Sequence, residues 1–300
     1  MTVIAIFGPT ASGKSAVAEA VAERIPAEVV SADAMQVYRG LPILTNQPNS
    51  PTRLVAIWEL DHEASVGEYQ RLAHAAIDEI AAAGATPVVA GGTGLYLRAA
   101  VGELALPPAA RPEARQRIER LYDQHGGEHA HAALAELDPE AAARVHPNDR
   151  RRVVRALELA EAGSSLAPAS NTLWTEETRL PTIVFGLDVP PDELERRIEE
   201  RTRQMFERGA AEEAHRALAG PISKTARHVL GLREAAELPA ADAIDAVAQR
   251  TRRYAAYQRK WMRRIAGLVS LPAGRSPAEI ADEIVEMARA RQRLPARRAG

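Results

Sequence analysis

The sequence predicts an α/β fold in which helices flank a parallel sheet, with a helical subdomain inserted part-way along the chain. Short apolar runs at Thr2–Phe7, Glu28–Ser31 and Thr86–Ala90 alternate with helical patterns. This alternation is typical of parallel strands that are joined by crossover helices. Between about Gly102 and Asn148 the pattern is helical only, and no strand is predicted there.

The remaining elements follow from apolar spacing and from the positions of glycine and proline. Helices are predicted over Ser15–Ile25, Val66–Ala83, Glu113–Tyr122, His129–Leu137, Asp149–Ala162, Pro191–Glu207 and Ala241–Ile265, and a further strand is predicted over Thr182–Val189. The strand at 182–189 returns the chain to the sheet. We therefore predict a core formed by 1–102 and 148–288, an insertion at 103–147, and a disordered basic tail at 289–300.

The composition sets limits on the class of protein. The chain has 300 residues, of which 46% are hydrophobic, and its formal net charge is −2. Because the net charge is not positive, a nucleic-acid partner would have to bind a local basic surface. The chain contains no cysteine, which excludes disulfides, thiolate zinc sites and a cysteine nucleophile. No apolar stretch approaches the ~20 residues of a membrane span, so we expect a cytoplasmic protein, with a monomer as the default.

A phosphate-binding loop is predicted between the first strand and the first helix. The segment matches the pattern G-x-x-x-x-G-K-S/T and consists of Gly8, Pro9, Thr10, Ala11, Ser12, Gly13, Lys14 and Ser15. Backbone N–H groups of such a loop point at phosphate oxygens, the lysine adds a positive charge, and the Ser15 hydroxyl can hold Mg²⁺. The motif predicts a P-loop NTPase-like sheet and a bound di- or triphosphate, but it does not define the reaction.

Two further loops follow predicted strands and should lie at the same edge of the sheet. Asp33 follows the second strand, where it suits a Mg²⁺ ligand or a general base, although a helix-capping role is the alternative. Thr93 lies in the glycine-rich segment Gly91–Gly94 after the third strand, which suits close ligand approach or an ordinary turn. No apolar run ending in aspartate precedes this segment, which argues against a motor-type ATPase.

Basic residues concentrate in two helical segments. Arg151, Arg152 and Arg155 share one face of a predicted helix, which suits phosphate binding or a solvated surface. In the segment 250–264, arginines alternate with tyrosine and tryptophan. This pattern suits RNA stacking, and equally a helix whose aromatic side chains pack inward.

Taken together, the motifs identify a family. The segments GPTASGKS, DAMQVYRG, GGTGLYLRA, HPNDRRRVVRALEL and TARHVLGLREA occur in this order, and they resemble the bacterial tRNA dimethylallyltransferase family, also called isopentenyl-pyrophosphate:tRNA transferases. The resemblance covers about residues 3 to 265. It implies Mg²⁺-assisted transfer of a dimethylallyl group from dimethylallyl diphosphate to N6 of the adenosine 3′-adjacent to the tRNA anticodon, with release of diphosphate.

The resemblance also implies roles for individual residues. The P-loop would hold the diphosphate, Asp33 would be the catalytic aspartate, and Thr93 would position the substrate. The insertion at 103–147 would bind the anticodon stem. The residues implied in tRNA binding are Asp33, Ala34, Met35, Gln36, Thr93, Arg115, Arg151, Arg152, Arg155, His228 and Arg233. The chain departs from the family pattern at Ala34, His228, Leu232 and Lys260, and these changes bear on tRNA recognition.

The chemistry of the acceptor agrees with these roles. The exocyclic amine of adenine is a weak nucleophile, so an anionic group such as Asp33 is needed to accept its proton. The rival functions are a small-metabolite kinase, prenyl transfer to free AMP, and a non-enzymatic RNA-binding module. The insertion and the arginine stripe favour tRNA over the first two rivals, and the third leaves Lys14 and Asp33 unexplained.

Overall fold

The computed structural model describes residues 2–104, 112–166 and 175–293. The chain divides into two compact units. The first comprises Met1–Glu103 and Leu173–Gly300, and the second is Leu104–Thr172. Among the described residues, no helix is both long enough and apolar enough to cross a membrane.

A parallel sheet forms the centre of the first unit. Its strands are β1 (Val3–Phe7), β2 (Ala27–Ser31), β3 (Thr52–Arg53), β4 (Thr86–Gly91), β5 (Thr182–Asp188) and β6 (Val269–Pro272). Within the described residues they run in the order β3-β2-β4-β1-β5-β6, and all neighbouring pairs are parallel. The predicted strands are confirmed, whereas the edge strands β3 and β6 were not predicted because they have only 2 and 4 residues.

The helices of the described residues flank this sheet or form the second unit. In chain order they are α1 (Lys14–Ala22), α2 (Val66–Ala82), α3 (Gly94–Val101), α4 (Pro112–His125), α5 (Gly127–Leu137), α6 (Pro139–Ala142), α7 (Arg150–Glu161), α8 (Pro191–Glu207), α9 (Ala210–Ala219), α10 (Leu232–Glu237), α11 (Ala240–Met262) and α12 (Pro277–Arg293). Each predicted helix is present, with ends that differ by a few residues from the predicted ones.

The last helix corrects the predicted disordered tail. We expected disorder from residue 289, but α12 continues to Arg293. Its apolar residues Ile280 and Ile284 lie one turn apart and join the main core beside Val17 and Val21 of α1. Helical spacing of apolar residues therefore continues α12 further than its basic composition suggested. Residues 294–300 lie outside the described residues.

The second unit is a helical bundle with its own core. Ile118 of α4, Leu134 of α5, and Val153 and Leu157 of α7 pack together in one buried cluster. The predicted boundary at 147 is therefore wrong, because α7 packs against α4 and α5 and belongs to the insertion rather than to the core.

The strand order brings the loops of interest to one edge of the sheet. β2, β4 and β1 are adjacent and parallel, so the segments that follow them leave the sheet on the same side. The ends of β2 and β4 lie unusually close, since a Cβ atom on Gly91 would be 2.1 Å from the carbonyl oxygen of Ala32. Glycine is therefore required at this position.

Candidate active site

The P-loop winds between β1 and α1 in the form that the sequence predicted. Gly13 immediately precedes α1 with φ of +88°, and Ala11 also has a positive φ, of 63°. A Cβ atom on Gly8 would lie 2.5 Å from the Ser12 hydroxyl oxygen. That oxygen is buried and has no hydrogen-bond partner among the described residues. An unpaired buried hydroxyl is costly, which makes Ser12 a candidate for contact with a ligand.

Two positive side chains converge on this loop. Burial lowers the pKa of Lys14; the negative charge of Asp33 raises it, and the positive charge of Arg201 lowers it further. Arg201 lies on α8 and donates a hydrogen bond to the Thr10 hydroxyl over 2.8 Å. Burial also lowers the pKa of Arg201. Two cationic side chains at the P-loop suit an anionic ligand. Sequence reasoning missed Arg201.

A pocket adjoins the P-loop at Thr10. Its polar lining includes Thr10, Asp33 and Arg201. Apolar side chains contribute as well, namely Met35, Leu44, Ile198, Met205 and Leu230. The pocket therefore combines charged and polar side chains with an apolar surface.

Asp33 and Thr93 lie side by side at the sheet edge. The half-buried Asp33 carboxylate accepts a hydrogen bond from the Met35 amide (2.9 Å), which fixes its orientation. The Ala34 amide donates to the Thr93 hydroxyl (3.3 Å), which also lies 3.2 Å from the Tyr254 hydroxyl. Burial raises the pKa of Tyr254, and the charge of Asp33 raises it further. The Tyr254 hydroxyl therefore keeps its proton beside the carboxylate.

Gln36 contributes to the shape of the loop that follows β2. Its side-chain oxygen accepts from the Ser31 hydroxyl (2.9 Å), and its amide nitrogen donates to the carbonyls of Thr45 (3.3 Å) and Asn46 (3.0 Å). The buried carboxylate of Glu213 holds the same loop by accepting from the Leu44 amide at 2.8 Å. The predicted contact of Gln36 with tRNA stays a prediction.

The predicted residues His228 and Arg233 lie on the surface of the first unit. Both are exposed, and Arg233 pairs with Glu237 at 3.3 Å. Leu230, between them, lines the pocket. Thr225, a few residues earlier, lies 2.6 Å from the Tyr38 hydroxyl, so this segment is joined to the loop after Asp33.

The predicted arginines of the second unit also lie together. Arg155 donates to the Glu158 carboxylate (3.1 Å), and Arg115 lies 3.6 Å from the other oxygen of that group. Arg152 is exposed and lies 3.4 Å from Asp149. Arg151 is exposed as well. The Arg152 pair is exposed on both sides and contributes little stability, whereas the Glu158 carboxylate that holds Arg155 and Arg115 is buried.

The aromatic residues of α11 were predicted either to stack on RNA or to pack inward. Tyr254 and Trp261 are partly buried, and Gln258 is only 2% exposed, whereas Tyr257 is 55% exposed. Arg253 is exposed. The inward-packing interpretation therefore holds for Tyr254 and Trp261.

The pocket joins Thr10 of the P-loop to a carboxylate and to apolar side chains, which suits a group-transferring enzyme. Residues 36–265 match the family model described as IPP transferase, and residues 1–52 match the model described as isopentenyl transferase. The chain belongs to the tRNA dimethylallyltransferase family. The predicted family and the predicted class of enzyme, a prenyltransferase, are thereby confirmed.

Relatives and solved structures agree with this assignment. The tRNA dimethylallyltransferase of Anaeromyxobacter dehalogenans (strain 2CP-C) is 41% identical over 297 residues, covering 95% of this chain and 99% of the relative. That of Thermobifida fusca (strain YX) is 39% identical and covers 88% of this chain and 87% of the relative. The structure of tRNA isopentenylpyrophosphate transferase from Bacillus halodurans is 30% identical, covers 98% of each chain and has a TM-score of 0.69.

A eukaryotic dimethylallyltransferase, solved as it acts on tRNA, is similar to this chain with a TM-score of 0.80 and 26% identity. The similarity covers 99% of this chain and 81% of the eukaryotic one. The predicted P-loop NTPase-like fold is confirmed by these neighbours.

Proposed function

We propose that the protein transfers a dimethylallyl group from dimethylallyl diphosphate to N6 of the adenosine 3′-adjacent to the tRNA anticodon, releasing diphosphate. The observation that carries the proposal is the shared pocket, in which Arg201 and the P-loop meet both Asp33 and apolar side chains. The relatives' common name, tRNA dimethylallyltransferase, supports the same reaction.

The donor binds with its diphosphate in the P-loop. Its oxygens contact Lys14, Arg201 and those loop amides that are not bonded within the protein as the Thr10 and Ser12 amides are. The Ser12 hydroxyl gains the partner that it lacks among the described residues. The hydrocarbon group lies against apolar residues such as Met35 and Met205. Apolar contacts exclude water, which protects the reactive allylic carbon from hydrolysis.

The reaction forms one C–N bond and breaks one C–O bond. The lone pair of N6 attacks C1 of the dimethylallyl group, and the electrons of the C1–O bond leave with diphosphate. Asp33 accepts the proton that N6 loses. Lys14, Arg201 and the loop amides stabilise the charge that develops on the leaving group. Thr93, fixed by the Ala34 amide, positions the acceptor base beside Asp33.

The donor atoms near the phosphate site suit Mg²⁺. The Ser15 hydroxyl would hold the ion together with phosphate oxygens of the substrate, since Mg²⁺ prefers oxygen ligands. The described residues contain no cluster of three or more His, Cys, Asp or Glu side chains that could hold a metal by themselves. When bound, Mg²⁺ would neutralise charge on the diphosphate.

The acceptor is tRNA, and its anticodon stem-loop binds two sets of residues. Arg115, Arg151, Arg152 and Arg155 of the second unit contact phosphates, since guanidinium groups form charge-assisted bonds to them. The segment 33–36, His228 and Arg233 contact the tRNA as well. The target adenine is flipped out, because a stacked base is inaccessible to the pocket. A eukaryotic neighbour solved acting on tRNA supports this choice of acceptor. The monomeric state and cytoplasmic location stay predictions.

One incubation tests the proposal. Purified protein, Mg²⁺ and radiolabelled dimethylallyl diphosphate are combined either with unmodified tRNA or with AMP. We expect label in tRNA, at the adenosine beside the anticodon. Label in AMP alone would assign the protein to free-nucleotide prenylation. If neither acceptor gains label and ATP is consumed when small alcohols are supplied, the kinase alternative is correct.

A further inference from the structure

Helix α11 contacts three consecutive residues of the loop after β4. Thr93 lies 3.2 Å from the Tyr254 hydroxyl. A Cβ atom on Gly92 would be 2.3 Å from the Gln258 side-chain nitrogen, and one on Gly94 would be 2.1 Å from the Trp261 ring. The two glycines therefore permit the helix to lie directly against the loop that carries Thr93.

Gln258 is the residue of this helix that also reaches the P-loop. Its side-chain oxygen accepts from the Thr10 amide (2.7 Å), and its side-chain nitrogen donates to the Gly92 carbonyl (2.9 Å). The residue is 2% exposed, so both bonds form away from water. One amide group thus links two loops that lie far apart in sequence.

We propose that Gln258 is a positioning residue. It holds the loop after β4, which carries Thr93 and is called the acceptor loop below, in a fixed position relative to the P-loop that binds the diphosphate. The bond to Thr10 fixes the loop that binds the donor, and the bond to Gly92 fixes the residue next to Thr93. Transfer requires the reacting atoms to be aligned, and a shift of about 1 Å can cost about 100-fold in rate. This role rests on the proposed function, because it assumes that Thr93 positions the acceptor.

Substitutions of Gln258 test its bonds to Thr10 and Gly92 separately. Gln258→Met has a similar volume but makes neither bond, so both loops lose their link. Gln258→Glu keeps an oxygen acceptor for the Thr10 amide. Val247→Ala is the matched control, since Val247 is buried on the same helix, 1% exposed, and is not part of the pocket.

The test uses the full-length chain in steady-state transfer of label from dimethylallyl diphosphate to unmodified tRNA. We expect Gln258→Met to lower kcat/KM by about 100-fold and Gln258→Glu by about tenfold. Binding of tRNA without donor should stay within about twofold of the wild-type value. Val247→Ala should lower the melting temperature but leave kcat/KM within about twofold.

Two outcomes would overturn the proposal. One is a Gln258→Met variant whose kcat/KM stays within about twofold of the wild-type value. The other is a loss of kcat/KM in Val247→Ala as large as that in Gln258→Met, which would mean that lost stability explains both effects. If Gln258→Met does not fold, the same comparison is made with Gln258→Glu. Wild-type protein without transfer activity would instead refute the proposed function.

Discussion

Replacing Arg201 by methionine tests whether this side chain holds the donor. The Arg201 guanidinium donates to the Thr10 hydroxyl at 2.8 Å and lines the pocket beside Asp33. Methionine keeps much of the side-chain length but removes the charge and every hydrogen-bond donor. We therefore expect the affinity for dimethylallyl diphosphate to fall while the affinity for tRNA is preserved.

The size of the effect follows from the contact that is lost. A hydrogen bond to a charged group contributes about 1.5–3 kcal/mol. Because 1.4 kcal/mol corresponds to about tenfold in a binding constant, KM for the donor should rise by about 10- to 150-fold. The lower end applies if water replaces the guanidinium beside the diphosphate. The upper end applies if the site stays dry, because the lost charge is then poorly compensated.

Initial rates of label transfer are measured against donor concentration at saturating tRNA, and diphosphate binding is measured by titration calorimetry. Arg196→Met is the matched control, since Arg196 lies on the same helix but its side chain is 68% exposed and pairs with Glu193. We expect this control to leave donor KM unchanged within about twofold, as is usual for exposed ion pairs.

An unchanged donor KM in Arg201→Met, combined with unchanged diphosphate binding, would refute the assignment of Arg201 to the donor site. A rise in tRNA KM alone would place Arg201 on the acceptor side instead. A similar loss in Arg196→Met would indicate a general effect on α8 rather than a specific contact.

Three further predictions concern the base, the tRNA surface and pH. Asp33→Ala should abolish transfer yet leave tRNA binding nearly intact in a filter-binding assay, and turnover that survives within a few-fold would exclude Asp33 as the base. Arg152→Ala should weaken tRNA binding and flatten its dependence on salt concentration, whereas an unaltered salt slope would make this arginine a solvated surface residue. Since burial lowers the pKa of Lys14, the lysine should lose its charge at a lower pH than usual, and kcat/KM for the donor should fall as pH rises through that lowered pKa. Arg201→Met removes one charge that lowers the pKa of Lys14, so the fall should then begin at higher pH; a profile that does not move would contradict the coupling.

The sequence predicted the parts of the site that are local in the chain. The P-loop, Asp33 and Thr93 each follow a strand, and parallel strands must place such segments at one edge of the sheet. The hydrogen bond from the Ala34 amide to Thr93, which spans 59 positions of sequence, joins the loop that carries Asp33 to the loop that carries Thr93. The tRNA roles implied by the family resemblance stay predictions, although the structure does bring Arg115 and Arg155 together at Glu158.

Arg201 and Gln258 were missed because their importance depends on distant contacts. Arg201 lies on a helix with several other arginines, and composition does not distinguish the one that points at the P-loop. Gln258 gave a usable signal, since it occupies a position in line with the buried residues Thr251, Ala255 and Met262. A polar amide on such a stripe indicates a buried hydrogen-bonding role.

Boundaries were harder to predict than the presence of elements. We assigned the helix at Asp149–Ala162 to the core, but its apolar residues Val153 and Leu157 complete the core of the second unit. The tail from residue 289 was predicted from its basic composition alone, and the helix whose residues Ile280 and Ile284 join the core was not predicted. In both cases the apolar face, rather than the charge, decides where the helix packs.

The dependence of the acceptor loop on α11 has a bearing on biosynthesis. The ribosome synthesises the chain from its N-terminus, so the P-loop and Gly92 are made long before Gln258. Gln258 follows Thr10 by 248 positions and Gly92 by 166 positions. A nascent chain that has not reached Gln258 carries the phosphate-binding sequence without the group that aligns it. If Gln258 aligns the two loops, a chain that ends before it should transfer the prenyl group far more slowly than the full chain.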